Sequence, residues 1–340
     1  MNERRNWKKN KVVRNYIETD NAIKGIKMAF LEYITEARGS GYDDEHATAH
    51  LWNHVINAKN AKTLIGHKNS DQIKNEIEKA RENPNHPLNV QNAPHAGHTG
   101  GKINHDAYYA ELQHAASTVH SLANHPSFKN AVKLKLEAKV AGSSRAKVSP
   151  LWQKNGAKNA TSKADIVIGS RESGEHHPIS LKKGDSQLMS AQPEEFVATY
   201  DHATDEHMRT NPSFTQAHKN KIMNAIREVG KHMQKMKGKK PAAQGKLREE
   251  AQEVVTAIHK AHPGLLKHVH FEAATGHGKF GYGEEGTARH LVTSMPDGAH
   301  VHDTLTGHEP IIAGVPRIAL PKGEGRPGNA KIDYKAMRAK

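Results

Sequence analysis

The feature that most constrains this chain is a change of period in its middle. Ala164-Asp165-Ile166-Val167-Ile168-Gly169 is a short run rich in β-branched residues, and Pro178-Ile179-Ser180-Leu181-Lys182-Lys183 is a second. Such side chains suit a pleated surface and lose rotamer freedom in a helix. The polar stretch 170–177 joins the two runs, so the spacing predicts a β-hairpin. Asp165 interrupts the first run and shares its parity with Val167 and Gly169. In the second run Ser180 and Lys182 share a parity opposite to Ile179 and Leu181. In the matching register, Asp165, Ser180 and Lys182 converge on one face. An Asp beside a Lys in a half-buried sheet is either a structural ion pair or a site, and the pair alone leaves both readings open.

The flanks of the hairpin read as helical. Met28, Phe30, Leu31, Tyr33 and Ile34 supply the apolar positions of a short helix starting at Ile26. A second helix fits 43–58, with Ala47, Leu51 and Val55 four residues apart, and a third fits 71–82 and stops at Asn83-Pro84. Residues 83–103 are rich in Asn, Pro, His and Gly and read as a loop or linker. Further helices are expected at 105–122 and 128–141, the latter stopped by Gly142, and then at 191–202, 213–236 and 241–262. Short strand candidates follow at 269–271, 290–293, 300–302 and 317–320. The expected organisation is a basic arm (1–25), a helical region with its linker (26–103), and a core (104–340) with a helical insertion at about 213–262. The fold class is α/β (α+β), a mixed central sheet flanked by helices.

Composition bounds the partners. The chain has 340 residues with 50 Lys+Arg against 36 Asp+Glu, a formal net charge of +14. An excess of that size favours polyanions, since each neutralised phosphate releases a counterion, although a merely basic soluble surface gives the same count. The absence of Cys excludes disulfide scaffolds, zinc–thiolate sites and a Cys nucleophile. No apolar run is long enough to span a bilayer, and the charged N-terminus is unlike a signal peptide.

The wider string around the hairpin carries a resemblance. Ser162-Lys163-Ala164-Asp165-Ile166-Val167-Ile168, then Ile179-Ser180-Leu181-Lys182-Lys183-Gly184, then Gln187-Leu188-Met189-Ser190 resembles the core of PD-(D/E)XK nucleases, over about 128–203 and more loosely up to about 320. The resemblance implies a restriction-endonuclease-like core and magnesium-dependent hydrolysis of DNA phosphodiesters, with manganese as a substitute ion and double-stranded DNA as substrate. It implies Asp165 as main metal ligand, the Leu181 carbonyl as another, and Lys182 beside the attacking water. Ser180 departs from the pattern, since the family usually has Glu or Asp there. Glu137, on the helix expected before the hairpin, matches the place of the family's helix glutamate. Glu272 is a second acid, within Phe271-Glu272-Ala273-Ala274-Thr275-Gly276-His277-Gly278-Lys279-Phe280-Gly281, where three glycines suit a close approach to phosphate.

Lys183, Gln187 and Lys279 are further candidates for contacting DNA. So are Lys231 and Lys235, on the basic stretch 219–240, whose other reading is a solvated helix face. His-x-His pairs at 268–270 and 300–302 have strand chelate spacing, which 26 His also produce by chance. Residues 28–37 loosely resemble tailed-phage proteins, which implies a host-cell cytoplasm or virion location; otherwise a cytoplasmic one is expected. Self-association as a homodimer or within a virion is the remaining partner expectation. The alternative function is a DNA-binding or virion structural protein that retains the fold without cutting.

Overall fold

A computed structural model describes residues 44–93, 104–141, 145–156, 160–183, 186–284, 286–295, 298–304, 311 and 313–334. The expected basic arm, the helix from Ile26 and the second part of the expected linker (94–103) lie outside these residues. The helical first part comprises α1 (Asp44–Asn57), α2 (Ala61–Gly66), α3 (Asp71–Glu82), α4 (His105–Asn124) and the short α5 (Lys129–Lys133). Then come β1 (Ala138–Val140), β2 (Arg145–Ala146), α6 (Pro150–Lys154), β3 (Ala160–Thr161), β4 (Ile166–Ser170), β5 (Glu175–Lys183) and β6 (Ser186–Ala191). A helical run follows: α7 (Pro193–Thr210), α8 (Gln216–Lys235), α9 (Pro241–Ala261), α10 (Leu265–Thr275) and α11 (His277–Phe280). Among the described residues four strands follow: β7 (His290–Met295), β8 (Gly298–Asp303), β9 (Arg317–Ala319) and β10 (Asn329–Tyr334).

The fold is mixed α/β. A five-stranded sheet has the order β1-β4-β5-β7-β8. All its pairs are antiparallel except β5 with β7. A parallel pair needs a crossover, and β6 with α7–α11 supplies it. β6 pairs instead with β10, which also pairs with β9, in a second sheet.

The predicted hairpin forms, with Ile166 opposite Ile179 and Ile168 opposite His177. Its turn is tighter than the polar stretch suggested, at Arg171–Gly174, because β5 starts at Glu175. One face of the sheet, through Ile166, Ile168, Ile179, Leu181 and Val292, packs on α1 and α4 in a single core that also takes in α3 and runs across residue 104. Burying side chains of this kind contributes about 1.5–3 kcal/mol each. On the opposite face Leu291 joins a second core with β6, β10 and α7–α10. The hairpin is thus held between two packed layers.

Two expected elements are corrected. The helix at 128–141 ends at Lys133: Lys135 takes a positive φ of 52°, and the chain leaves as β1. The Asn53 side chain fixes that exit, donating to the Ala138 carbonyl at 2.9 Å and accepting from its N–H at 2.7 Å. The strand expected at 269–271 is instead part of α10, where Leu265, Val269 and Ala273 are buried four residues apart and Gly276 closes the helix in the left-handed conformation. Three β-branched or aromatic residues in a row were outweighed by that period.

Candidate active site

At the open end of the hairpin the strand ladder changes character. The Asp165 N–H donates to the Ile179 carbonyl at 2.8 Å, but the next donor of β5, the Leu181 N–H, binds the Asp165 side chain, Oδ2, at 2.6 Å. The Ser180 hydroxyl donates to the same oxygen at 3.2 Å, and Lys182 Nζ stands 3.6 Å from it. Lys182 also donates to the Leu181 carbonyl at 2.9 Å. Asp165, Ser180 and Lys182 are therefore brought together as the parity implied, with the Leu181 backbone beside them. The two charged side chains are 18% and 16% exposed, so the pair is reachable from solvent. Oδ1 of Asp165 accepts no hydrogen bond among the described residues.

The other sequence candidates are placed elsewhere. Glu137 is not on a helix. It is exposed, and its carbonyl accepts from the Gly169 N–H at 2.9 Å, at the turn end of β4. The β1 neighbour of Asp165 is instead Ala141, whose N–H donates to the Asp165 carbonyl. Four strand residues thus separate Glu137 from Asp165, roughly 13 Å at strand rise. Glu272 is buried in α10 with both oxygens engaged. Oε2 accepts from the Gly278 N–H at 2.7 Å and lies 2.9 Å from His202 Nδ1, while Oε1 accepts from the Lys279 N–H at 3.0 Å. The glycine-rich segment therefore closes on the chain's own carboxylate. Gly278 has to be a glycine for this, since a Cβ there would lie 2.3 Å from the His202 ring. His202 is raised above its ordinary range: burial opposes the charge, but hydrogen bonding and attraction to Glu272 outweigh it.

Several of the expected phosphate-contacting residues pair with acids of the chain, Lys231 while remaining exposed. Lys183 pairs with buried Glu111 at 3.0 Å, Lys231 with Glu228 at 2.6 Å, and Lys279 with Glu195 at 2.8 Å. Gln187 donates to the Met189 carbonyl at 2.7 Å and so braces β6. Lys235 is exposed on α8, whose apolar side (Ile222, Met223, Ile226, Val229 and Met233) is sunk in the second core. Lys219 lies inward, between Asp201 at 2.8 Å and Asp205 at 2.6 Å.

Lys163 and Glu195 were not singled out from the sequence. Lys163 lies two residues before Asp165, and extending the hairpin register sets it opposite Lys182. Its ammonium makes no hydrogen bond or ion pair among the described residues. With Glu195, Glu272 and Lys279 it lines a cavity of about 30 Å³, room for a water. Burial, then the charges of Lys279 and Lys182, lower its pKa to about 8. Gly276 makes room for this side chain: a Cβ there would lie 2.7 Å from Lys163 Cγ. The sequence signal was present, a basic residue of the same parity as Asp165, but its surroundings come from α7, α10 and α11.

An open groove of about 370 Å³ runs along the hairpin from Ala164, lined by Val167, Gly169, Pro178 and by the basic residues Lys139, Arg171 and His176. Comparison with protein-family models, curated proteins and solved structures returns no match. Among the described residues, no helix is long and apolar enough to cross a membrane.

Proposed function

We propose that this chain is a metal-dependent DNA endonuclease centred on Asp165 and Lys182. The observation that carries the reading is the meeting of Asp165, Ser180, the Leu181 carbonyl and Lys182 at the splayed end of one hairpin. The basic groove beside it supports a polyanionic strand as substrate.

The donor set suits magnesium in kind. It is all oxygen: the open Oδ1 of Asp165, the Leu181 carbonyl and the Ser180 hydroxyl. Magnesium keeps several waters and needs only one or two carboxylates. When bound it lowers the pKa of a coordinated water and neutralises charge on the phosphate. Manganese accepts the same oxygens.

The chain's own residues have separate tasks. The Leu181 N–H and Ser180 hydroxyl fix the Asp165 carboxylate, leaving Oδ1 directed away from them. Lys182, held at the Leu181 carbonyl, offers a positive charge where negative charge develops on the phosphate oxygens. Lys163 adds a second cation on the same face. Glu195 neutralises Lys279, which keeps three lysines compatible in a small space.

The second reading is a DNA-binding or virion structural protein that does not cut. One observation favours it: Asp165 Oδ2 is fully engaged by the chain, and among the described residues no second carboxylate contacts Asp165. Plasmid DNA incubated with the protein and magnesium separates the two. Nicking or linearisation that disappears with EDTA, and in Asp165→Ala and Lys182→Ala, is the expected result. No cleavage, or cleavage indifferent to both substitutions, rejects the enzyme.

A further inference from the structure

Far along the chain from the hairpin, the helical first part gathers two imidazoles and a carboxylate. His54 comes from α1, Glu76 from α3, and His86 from the segment that follows α3. His86 Nε2 lies 3.1 Å and His54 Nε2 4.0 Å from the same oxygen, Glu76 Oε1. The three ligand-type atoms all fall within 4.8 Å of one another. The side chains are 11%, 16% and 14% exposed for His54, Glu76 and His86. His54 Nε2 is buried and has no hydrogen-bond partner among the described residues. A buried polar nitrogen without a partner calls for an explanation such as an ion, and this one faces a carboxylate and a second imidazole.

We propose that His54, Glu76 and His86 form a zinc-binding site that ties α1 to α3 and to the segment after it. Two imidazole nitrogens and one carboxylate oxygen are a borderline donor set that suits zinc, and three protein ligands leave a fourth position for water. Ligands of a tetrahedral zinc ion stand about 3.3 Å apart, given bonds of about 2.0–2.1 Å. The His86–Glu76 separation of 3.1 Å already matches, and His54 has to close on Glu76 from 4.0 Å and on His86 from a separation within 4.8 Å.

The three arms are held by packing. Val55 beside His54 is buried, as are Ile73 and Ile77 on either side of Glu76. The His86 carbonyl accepts from the Asn89 N–H at 2.8 Å and the Asn92 amide at 2.9 Å. Lys79 stands 3.3 Å from Oε2, the other Glu76 oxygen, and leaves Oε1 to the metal.

One rearrangement accompanies binding. His86 Nδ1 accepts from the Leu88 N–H at 3.1 Å, so the neutral ring carries its proton on Nε2 and donates it to Glu76. When zinc takes Nε2, that proton moves to Nδ1 and the Leu88 bond is given up. The count of protons on the ring is unchanged.

This site does not rest on the nuclease reading. The test uses the full chain, stripped with EDTA and dialysed against zinc. One zinc ion per chain is expected in the wild type and in Asp165→Ala. His54→Gln, Glu76→Gln and His86→Gln should each weaken binding by about 100-fold, and zinc should raise the melting temperature of the wild type and of Asp165→Ala but not of these three variants. Cobalt in place of zinc should give the visible absorption of a four-coordinate ion, and Glu76→Gln, the variant nearest in shape, should remove it. No zinc in the wild type, no such cobalt spectrum, binding untouched by all three substitutions, or binding lost in Asp165→Ala overturns the proposal.

Discussion

The two faces of the β4–β5 hairpin are made from the same stretch of chain yet live under opposite rules. On one face Ile166, Ile168, Ile179 and Leu181 are buried against the helical first part. On the other, Asp165, Ser180, Lys182 and Lys163 share a face with Leu291, which sits in the second core. The first face is apolar and packed, so its residues act through volume. The second keeps charges a few ångströms apart at the rim of the second core, so its residues act through electrostatics. The strand alternation makes both at once, which is why a substitution one residue away should change a different property.

The largest effect is expected on the polar face. Asp165→Ala should lower magnesium-dependent cleavage by about 10³-fold, about 4 kcal/mol of transition-state stabilisation, and cost about 1–3 kcal/mol of stability through the Leu181 N–H it leaves without that acceptor. Its neighbour should invert that pattern. Ile166→Ala, on the packed face, should cost about 2–5 kcal/mol in denaturant unfolding and leave the specific activity of the folded fraction near wild type. Equal loss of activity and stability in both variants would break the comparison.

A titration separates the faces next. His114 on α4 meets Ser294 at 2.7 Å on the packed side, and burial, then Lys183 and Lys74, lower its pKa to about 4. Below pH 6.5 the unfolded chain takes up a proton that the folded chain refuses until about pH 4. Stability should therefore fall across that window as the pH drops, by on the order of 1–2 kcal/mol from this residue between pH 7 and pH 5. His114→Gln should flatten the slope of melting temperature against pH. Lys163 sits on the polar side and loses its charge as pH rises through about 8. DNA affinity, read by fluorescence anisotropy, should weaken above that pH, and Lys163→Arg should move the alkaline limb upward.

The smallest effect sharpens the site itself. Ser180→Asp sets a second carboxylate against Asp165. Without metal the like charges should lower the melting temperature by a few degrees. Magnesium should restore it, and half-maximal cleavage should need about tenfold less magnesium. A magnesium requirement unchanged in this variant would remove Asp165 from the metal site.

The hairpin was legible because its signals are local. β-Branched runs, a polar turn and a two-residue parity put Asp165, Ser180 and Lys182 on one face before any tertiary contact is known. The helices at 71–82 and 241–262 were legible for the same reason, since their period and their Pro or Asn-Pro boundaries lie within each segment. Glu137 was misplaced because its helix was cut short by the Asn53 side chain, which comes from 84 residues earlier. Glu272 resembled a free acid beside a glycine loop, but whether that loop folds over a phosphate or over Glu272 depends on His202 from another helix. Lys183 and Lys279 looked like free surface cations because their acidic partners, Glu111 and Glu195, are distant in sequence.

By itself, the sequence determined the mixed α/β class and the residues that one strand face would share, since alternation and helical period follow from backbone geometry alone. Only the tertiary structure decided which charges meet: Lys279 with Glu195, Glu272 with its own loop, and Lys163 with no partner among the described residues. Those choices depend on distances between elements far apart in the chain, and electrostatic pairing is set by distance and burial, not by order along the sequence.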